Sequence, residues 1–370
     1  MKIVMFGHKR IPSREGGVEI VVEELASRMV KLGHQVTCYN RAGHHVSGAA
    51  FDGEAGNSHR GIRLKTVPTL DRKGLAAVTS SLFAAVYAAF SDADVVHIHA
   101  EGPALMCWLP RLFGKRVIVT VHGLDWQRSK WKGSFASKYI RLGEKAAVRW
   151  AHEIIVLSRN VQQYFRDTYG RETVFLPNGM SLPDPVEPLQ IRELGLNKGS
   201  YILFLGRLVP EKCPDLLIRA WKKADTGKKL VIAGGISDSD AYARQLKELA
   251  GTSADVLLTD FVQGRTLEEL FSNAFMYVLL SELEGMPLSL LEAMSYGNCC
   301  LVSDIPECAE VVGECAMQFR SGEEEDLCRK LRQLCGDPEL VSALGSAARE
   351  RVSRGWSWDD VTKKTLELYQ

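Results

Sequence analysis

The stretch SREGGVEIVVEELASRMVKLGHQVTCYN, Ser13 to Asn40, follows a short apolar run, KIVMFG, and sets two glycines in front of an amphipathic helix pattern that leads into a second β-type run. Strand, glycine turn, helix and strand in that order make one unit of a parallel α/β sheet. Glycine lets backbone approach a diphosphate closely, and a helix N-terminus offers unpaired amides with about half a positive charge. Gly16 and Gly17 are therefore candidate phosphate contacts, with an ordinary tight turn as the alternative. The G-x-G-x-x-G spacing of a dinucleotide site is missing, and Asn40 and Arg41 follow the second strand where an acidic ribose ligand would stand.

Outward from this unit the same alternation continues. KIVMF, QVTCY, IRLKTV, DVVHIH, RVIVTV, EIIVL and TVFL read as strands of a first doubly wound domain, most of them continuous apolar runs as in a sheet covered on both faces. Pro177 to Ser200 holds four prolines and three glycines and breaks the pattern. A second series follows: YILFLG, KLVIAGG, DVLLTDFV, FMYVLL and CCLVS. From about Gly322 the pattern is helical, and WSWDDVTKKTLELYQ reads as a closing helix with Ser357 at its N-cap. The expected organisation is a Rossmann-like domain over 1–180, a linker over 181–200, a second Rossmann-like domain over 201–353 and a C-terminal helix over 354–370 that returns to the first domain. Two such domains facing each other would form a deep cleft, with ligands at the carboxyl ends of the strands.

Composition limits the function. The 370 residues, 46% hydrophobic, suffice for two cores, and a formal net charge of +1 argues against a nucleic-acid binder working by bulk electrostatics. No run of 18 apolar residues occurs, and Met1 leads straight into a strand, so a cytoplasmic protein is expected. The nine cysteines, without C-x-x-C spacing, read as reduced core thiols.

Three further stretches carry chemistry. In YILFLGRLVPEKCPDLLIRAW, Arg207 and Lys212 follow a strand end, where a guanidinium and an ammonium can converge on one diphosphate; the alternative is a solvated loop. In MYVLLSELEGMPLSLLEAMSYGNCCLVS, Glu284 lies in the loop and Glu292 eight residues later, expected about two turns inside the helix that a Gly-Met-Pro turn starts. That separation suits two hydroxyl-bearing parts of one elongated ligand, as in a nucleotide sugar. In Trp126 to Trp150, seven Lys or Arg stand against one acidic residue, Glu144, with aromatics between, a pattern that can dock on anionic lipid or simply form a solvated helix face.

REGGVE, GRLVPEK and SELEGMPLSLLEAM together resemble the retaining nucleotide-sugar glycosyltransferases of the GT-B fold, family four. VHGLD, VLSRNVQQYF, LPNGM and the terminal WSW helix fall in the expected order, so the resemblance spans nearly the whole chain. GHKRIPSREGGVE and HGLDWQRSKW are similar to bacterial cell-surface polysaccharide enzymes, some of them rhamnosyltransferases. The resemblance implies Arg207 and Lys212 on the donor diphosphate, with the Gly16 and Gly17 amides approaching from the other domain. It implies Glu284 and the backbone of Gly285, Met286, Pro287 and Leu288 around the transferred sugar, Glu292 on the ribose, and His122 near the reacting carbon. Base contacts would come from backbone near Phe261 and Val262. The donor would be a UDP-, GDP- or dTDP-sugar and the acceptor a saccharide or lipid-linked saccharide.

No metal or other cofactor is expected. Asp92-Ala93-Asp94 precedes its strand and so lies at the wrong end of the sheet. Asp238-Ser239-Asp240 fits a helix cap better, and His97 and His99 lack a third ligand. The rival readings are a nucleotide-sugar 2-epimerase of the same architecture, a dinucleotide-dependent oxidoreductase and a non-catalytic sugar-binding module.

Overall fold

The computed structural model describes residues 1–43, 56–70, 72, 74–128, 135–235 and 240–370. It divides into two compact units, Met1–Gly179 with Trp358–Gln370, and Met180–Ser357.

The first unit is built on strands β1 (Lys2–Phe6), β2 (Gln35–Arg41), β3 (Ser58–His59), β4 (Ile62–Val67), β5 (Val95–His99), β6 (Arg116–Val121), β7 (Glu153–Val156) and β8 (Val174–Phe175). Their order is β3-β4-β2-β1-β5-β6-β7-β8. All pairs are parallel except the edge pair of β3 with β4. The chain winds outward from β1 to one side, then restarts on the other with β5, so the switch point lies between β1 and β5. Helix Gly17–Lys31 buries Val21, Val22, Leu25, Ala26 and Met29, the apolar stripe of the opening stretch.

The C-terminal helix Trp358–Glu367 belongs to this first unit. Arg28 Nε donates to Asp359 at 2.8 Å, Arg116 Nε donates to the Leu368 carbonyl at 2.8 Å, and the Tyr369 hydroxyl meets His97 Nδ1 at 2.6 Å. Tyr369 is thus a buried polar anchor for the end of the chain.

The second unit holds β9 (Tyr201–Leu205), β10 (Lys229–Ala233), β11 (Val256–Leu258), β12 (Met276–Leu279), β13 (Cys300–Ser303) and β14 (Met317–Phe319), in the order β11-β10-β9-β12-β13-β14. Every pair is parallel, and the switch point lies between β9 and β12. The proline-rich segment 181–200 is fastened to this unit. Glu269, buried on helix Gly264–Asn273, accepts from the amides of Leu189 (2.8 Å), Gln190 (2.7 Å) and Ile191 (3.1 Å), and Asn273 Nδ2 donates to the Val186 carbonyl at 2.9 Å. No helix among the described residues is long and apolar enough to cross a membrane.

Two strands escaped the sequence pattern. β3 is two residues long, and β14 is a three-residue edge strand, MQF, with only Phe319 fully buried; neither carries a periodicity to detect. The run DVLLTDFV is a strand only over Val256–Leu258, because Asp260 turns the chain at φ +55°.

Candidate functional site

In the second unit, Gly206 ends the strand run and the chain passes through a single 3-10 turn, Pro210–Lys212, before helix Pro214–Ala224. Lys212 leaves that turn rigidly held, since its amide donates to the Val209 carbonyl at 3.0 Å. The amide of Glu282, after β12, donates to the Glu211 carbonyl at 3.0 Å, so the loops following the two switch-point strands are stitched together. Tyr277 extends the stitch. Its hydroxyl donates to the Leu205 carbonyl at 3.2 Å and lies 2.9 Å from Ser289 Oγ in the first turn of helix Leu288–Ser295.

These loops bring together two residues picked from sequence. Lys212 Nζ forms an ion pair with Glu284 Oε1, the same oxygen that accepts from Ser281 Oγ at 2.6 Å. Arg207 stands half-buried in the same loop, and its guanidinium makes no hydrogen bond or ion pair among the described residues. A partly desolvated cation without a countercharge is costly unless a ligand completes it. Gly285, Met286, Pro287 and Leu288 are buried and lead into helix Leu288–Ser295, whose N-cap, Pro287, supplies no side-chain cap. Glu292 is the fifth residue of this helix, about one turn and 6 Å along it. The expected two turns are thereby corrected: the Gly-Met-Pro segment lies outside the helix, which starts only after the extended Pro287. Phe261 and Val262 lie half-exposed in the loop after β11.

In the first unit, the carboxyl ends of β1, β5 and β6 present His8, His99 and His122. His8 Nε2 meets Asn40 Oδ1 at 3.1 Å, and Asn40 also takes the Ile11 amide at 3.1 Å while its Nδ2 donates to the Ile11 carbonyl at 2.9 Å. Asn40, which the sequence offered only as a missing acidic residue, is the latch of the loop after β1. His99 Nδ1 lies 3.0 Å from His122 Nε2. Burial lowers the His8 and His122 imidazoles to about 4, against the pull of Glu19 in both and of Asp125 on His122.

Gly16 caps helix Gly17–Lys31 in extended conformation, with no side-chain cap, and Gly17 is exposed. The glycine that sterics demand is another one. Gly7 sits at φ +108°, and a Cβ there would lie 2.0 Å from the His99 carbonyl oxygen, whereas at Gly16 it would meet only side-chain atoms, the Glu19 carboxylate at 2.6 Å.

A buried acidic pair lies further along the same edge. Glu144 accepts from Trp126 Nε1 at 3.1 Å, from the Tyr164 hydroxyl at 2.9 Å and from the Tyr169 hydroxyl. Glu101 accepts the Asp125 amide at 2.8 Å, and burial first, then the Glu144 side chain and Asp125, push its carboxyl well above the ordinary range. Trp126 therefore serves this network, and Trp150 packs against the core. Both indoles are half-buried. Helix Phe135–Trp150 instead exposes Lys138, Arg141, Lys145 and Arg149 on one stripe, with Phe135 and Leu142 also exposed. Residues 129–134 of the basic segment lie outside the described residues.

Asp92 and Asp94 are at the amino end of β5, where Lys2 Nζ bonds Asp92 at 2.6 Å and the Lys2 amide bonds Asp94 at 2.7 Å. Asp238 and Ser239 lie outside the described residues. The nine cysteines are free thiols, eight of them buried.

Comparison with known proteins completes the assignment. The family model Glycosyltransferase Family 4 matches residues 15–182, and the model Glycosyl transferases group 1 matches 187–351. The alpha-maltose-1-phosphate synthase of Mycolicibacterium smegmatis is 25% identical over 100% of this chain and 99% of its own. The GDP-mannose-dependent alpha-(1-6)-phosphatidylinositol monomannoside mannosyltransferase of the same organism is 24% identical over 96% and 95%. Among solved structures, Anabaena Alr3699/HepE in complex with UDP-glucose superposes with a TM-score of 0.80 at 16% identity, covering 99% of this chain and 98% of that one. The chain belongs to the GT-B glycosyltransferases, with a family 4 domain followed by a group 1 domain.

Proposed function

We propose that the protein transfers a hexose or deoxyhexose from a nucleoside-diphosphate sugar to a saccharide or lipid-linked saccharide acceptor, with retention of configuration, in cell-surface polysaccharide synthesis. The observation that carries the reading is Arg207, a half-buried cation unpaired among the described residues, beside the Lys212–Glu284 ion pair at the switch point of the second sheet. A UDP-, GDP- or dTDP-linked donor supplies the missing anion. A structural relative binding UDP-glucose and a sequence relative named for GDP-mannose support this donor class.

Arg207 and Lys212 take the diphosphate, and the amides at Gly16 and Gly17 are a second candidate contact for it. As the bond from the anomeric carbon to the diphosphate oxygen breaks, the negative charge gathers on the leaving phosphate, where the two cations stabilise it. The acceptor hydroxyl forms the new bond on the same face and passes its proton to a phosphate oxygen. Two fixed cations do here what a divalent ion does elsewhere, so the reaction is proposed to be metal-independent. On donor binding, before the bond breaks, Lys212 turns from Glu284 toward phosphate, which frees Glu284 to accept from the sugar hydroxyls. Glu292 holds the ribose, Phe261 and Val262 contribute backbone to the base, and His122 contacts the sugar near the reacting carbon. The basic stripe of helix Phe135–Trp150, with exposed Phe135, suits peripheral contact with an anionic membrane and hence a lipid-linked acceptor.

Thermal shift against a panel of UDP-, GDP- and dTDP-sugars, followed by acceptor-dependent transfer with the anomer read by NMR, tests the reading. Stabilisation by one nucleotide class and retained configuration support it; no stabilisation by any donor contradicts it. Because the matching family models describe glycosyltransferases, the epimerase alternative is set aside.

A further inference from the structure

We infer that His99 is a positioning residue that fixes the tautomer of His122, so that His122 presents an N–H at Nδ1 to its ligand. The inference rests on the proposed role of His122 at the sugar. His99 cannot itself touch a substrate, because it is fully buried. Its ring is held from two sides: His97 stacks on it with centroids 4.2 Å apart, and Nδ1 lies 3.0 Å from His122 Nε2. His97 is in turn clamped by Tyr369 at 2.6 Å and Thr120 at 2.7 Å.

One proton lies between His99 Nδ1 and His122 Nε2, and the surroundings decide whose it is. His99 Nε2 is buried with no hydrogen-bond partner among the described residues. Were the proton on His122 Nε2, neutral His99 would carry its own at Nε2, leaving a buried N–H with no acceptor. The neighbouring His8 makes no hydrogen bond to it. Asn40 Oδ1, oriented by its two bonds to Ile11, makes His8 Nε2 the donor of that pair. With the proton on His99 Nδ1, the orphan at Nε2 is only a lone pair, and orphaned N–H groups are the rarer and costlier case. His99 Nδ1–H therefore donates to His122 Nε2. Neutral His122 must then be protonated at Nδ1, the ring nitrogen that has no hydrogen-bond partner among the described residues. Such a ring donates to a sugar oxygen, where the opposite tautomer could only accept.

Long-range proton–nitrogen correlation spectra of histidine-labelled protein near pH 7.5 test this, with the His122 signals assigned by their loss in His122→Gln. The expected result is His122 protonated at Nδ1 in the wild type. His99→Asn, whose amide can donate from the position of Nδ1, should keep that tautomer and most of the transfer rate. His99→Leu should shift His122 toward Nε2–H and cost roughly tenfold or more in transfer, with nucleotide affinity unchanged. Wild-type His122 protonated at Nε2, or an unaltered rate in folded His99→Leu, overturns the inference. The wild-type spectrum needs no substrate, so a protein that shows the Nδ1 tautomer but transfers no sugar would overturn the proposed function and leave this assignment standing.

Discussion

Lys212 and Glu284, 72 positions apart in the chain, form an ion pair in which Ser281 holds the same carboxylate oxygen. The two side chains are only 14% and 10% exposed, so the pair belongs to the fold as well as to the proposed chemistry. A conformational cost is thus built into any variant that removes one partner.

Glu284→Gln and Lys212→Ala should each reduce transfer at least a hundredfold, and each should also lower stability, by about 1–3 kcal/mol, because a largely buried charge loses its countercharge. Lys212→Ala takes the lysine countercharge away from the Glu284 carboxylate, which is only 10% exposed. Chemical denaturation alongside single-turnover assays checks both effects; wild-type rates in either variant would remove that residue from the site.

The acidic pair of the first unit gives opposite outcomes for the same substitution. Glu101, held neutral by burial beside Glu144, is mimicked by an amide, so Glu101→Gln should change the melting temperature little. Glu144 faces three donors, the arrangement of an ionised carboxylate. Glu144→Gln puts an NH2 against one or more of them and should cost about 2 kcal/mol or more. Equal melting temperatures for the two variants would show that the charge is not on Glu144.

Acid should unfold the first unit early. Burial lowers His97 to about 3 and His8 and His122 to about 4, with His99 also well below the ordinary 6.5. Between 6.5 and those values the unfolded chain binds protons that the folded one does not, so stability falls as pH falls, by up to about 1.4 kcal/mol per pH unit for each imidazole. Glu101 works against this, since its stabilising contribution is lost as pH rises, but one carboxyl does not offset four imidazoles. Denaturant midpoints between pH 7.5 and 5 should drop steadily. A flat profile over that interval would mean these rings are not held neutral.

Much of the fold could be read from the chain because buried parallel strands such as VVHIH and KLVIA are apolar throughout and alternate with amphipathic helices. What stayed hidden depends on contacts between distant residues. Nothing local marks Gly7 as the sterically required glycine, because the clash arises from His99 on another strand. Asn40 looked like a gap in a nucleotide motif and is a loop latch. His97 and His99 were weighed only as metal ligands, though their two-residue spacing already placed them on one face; the partners that give them meaning, Tyr369 and His122, come from elsewhere in the fold. In the second unit the residue types and order of GRLVPEK and SELEGMP pointed to Arg207, Lys212 and Glu284, but not to the ion pair within that set.

Arg207 offers the most direct test of the central claim, because its guanidinium has no partner among the described residues and its loss should not disturb the fold. Calorimetric titration of UDP, GDP and dTDP into wild type and Arg207→Ala is the measurement. The account predicts an unchanged melting temperature and a roughly tenfold to hundredfold weaker affinity for whichever nucleotide the wild type binds, the loss expected for one charge-assisted hydrogen-bonding group. An Arg207→Ala protein that binds that nucleotide as tightly as the wild type would contradict it.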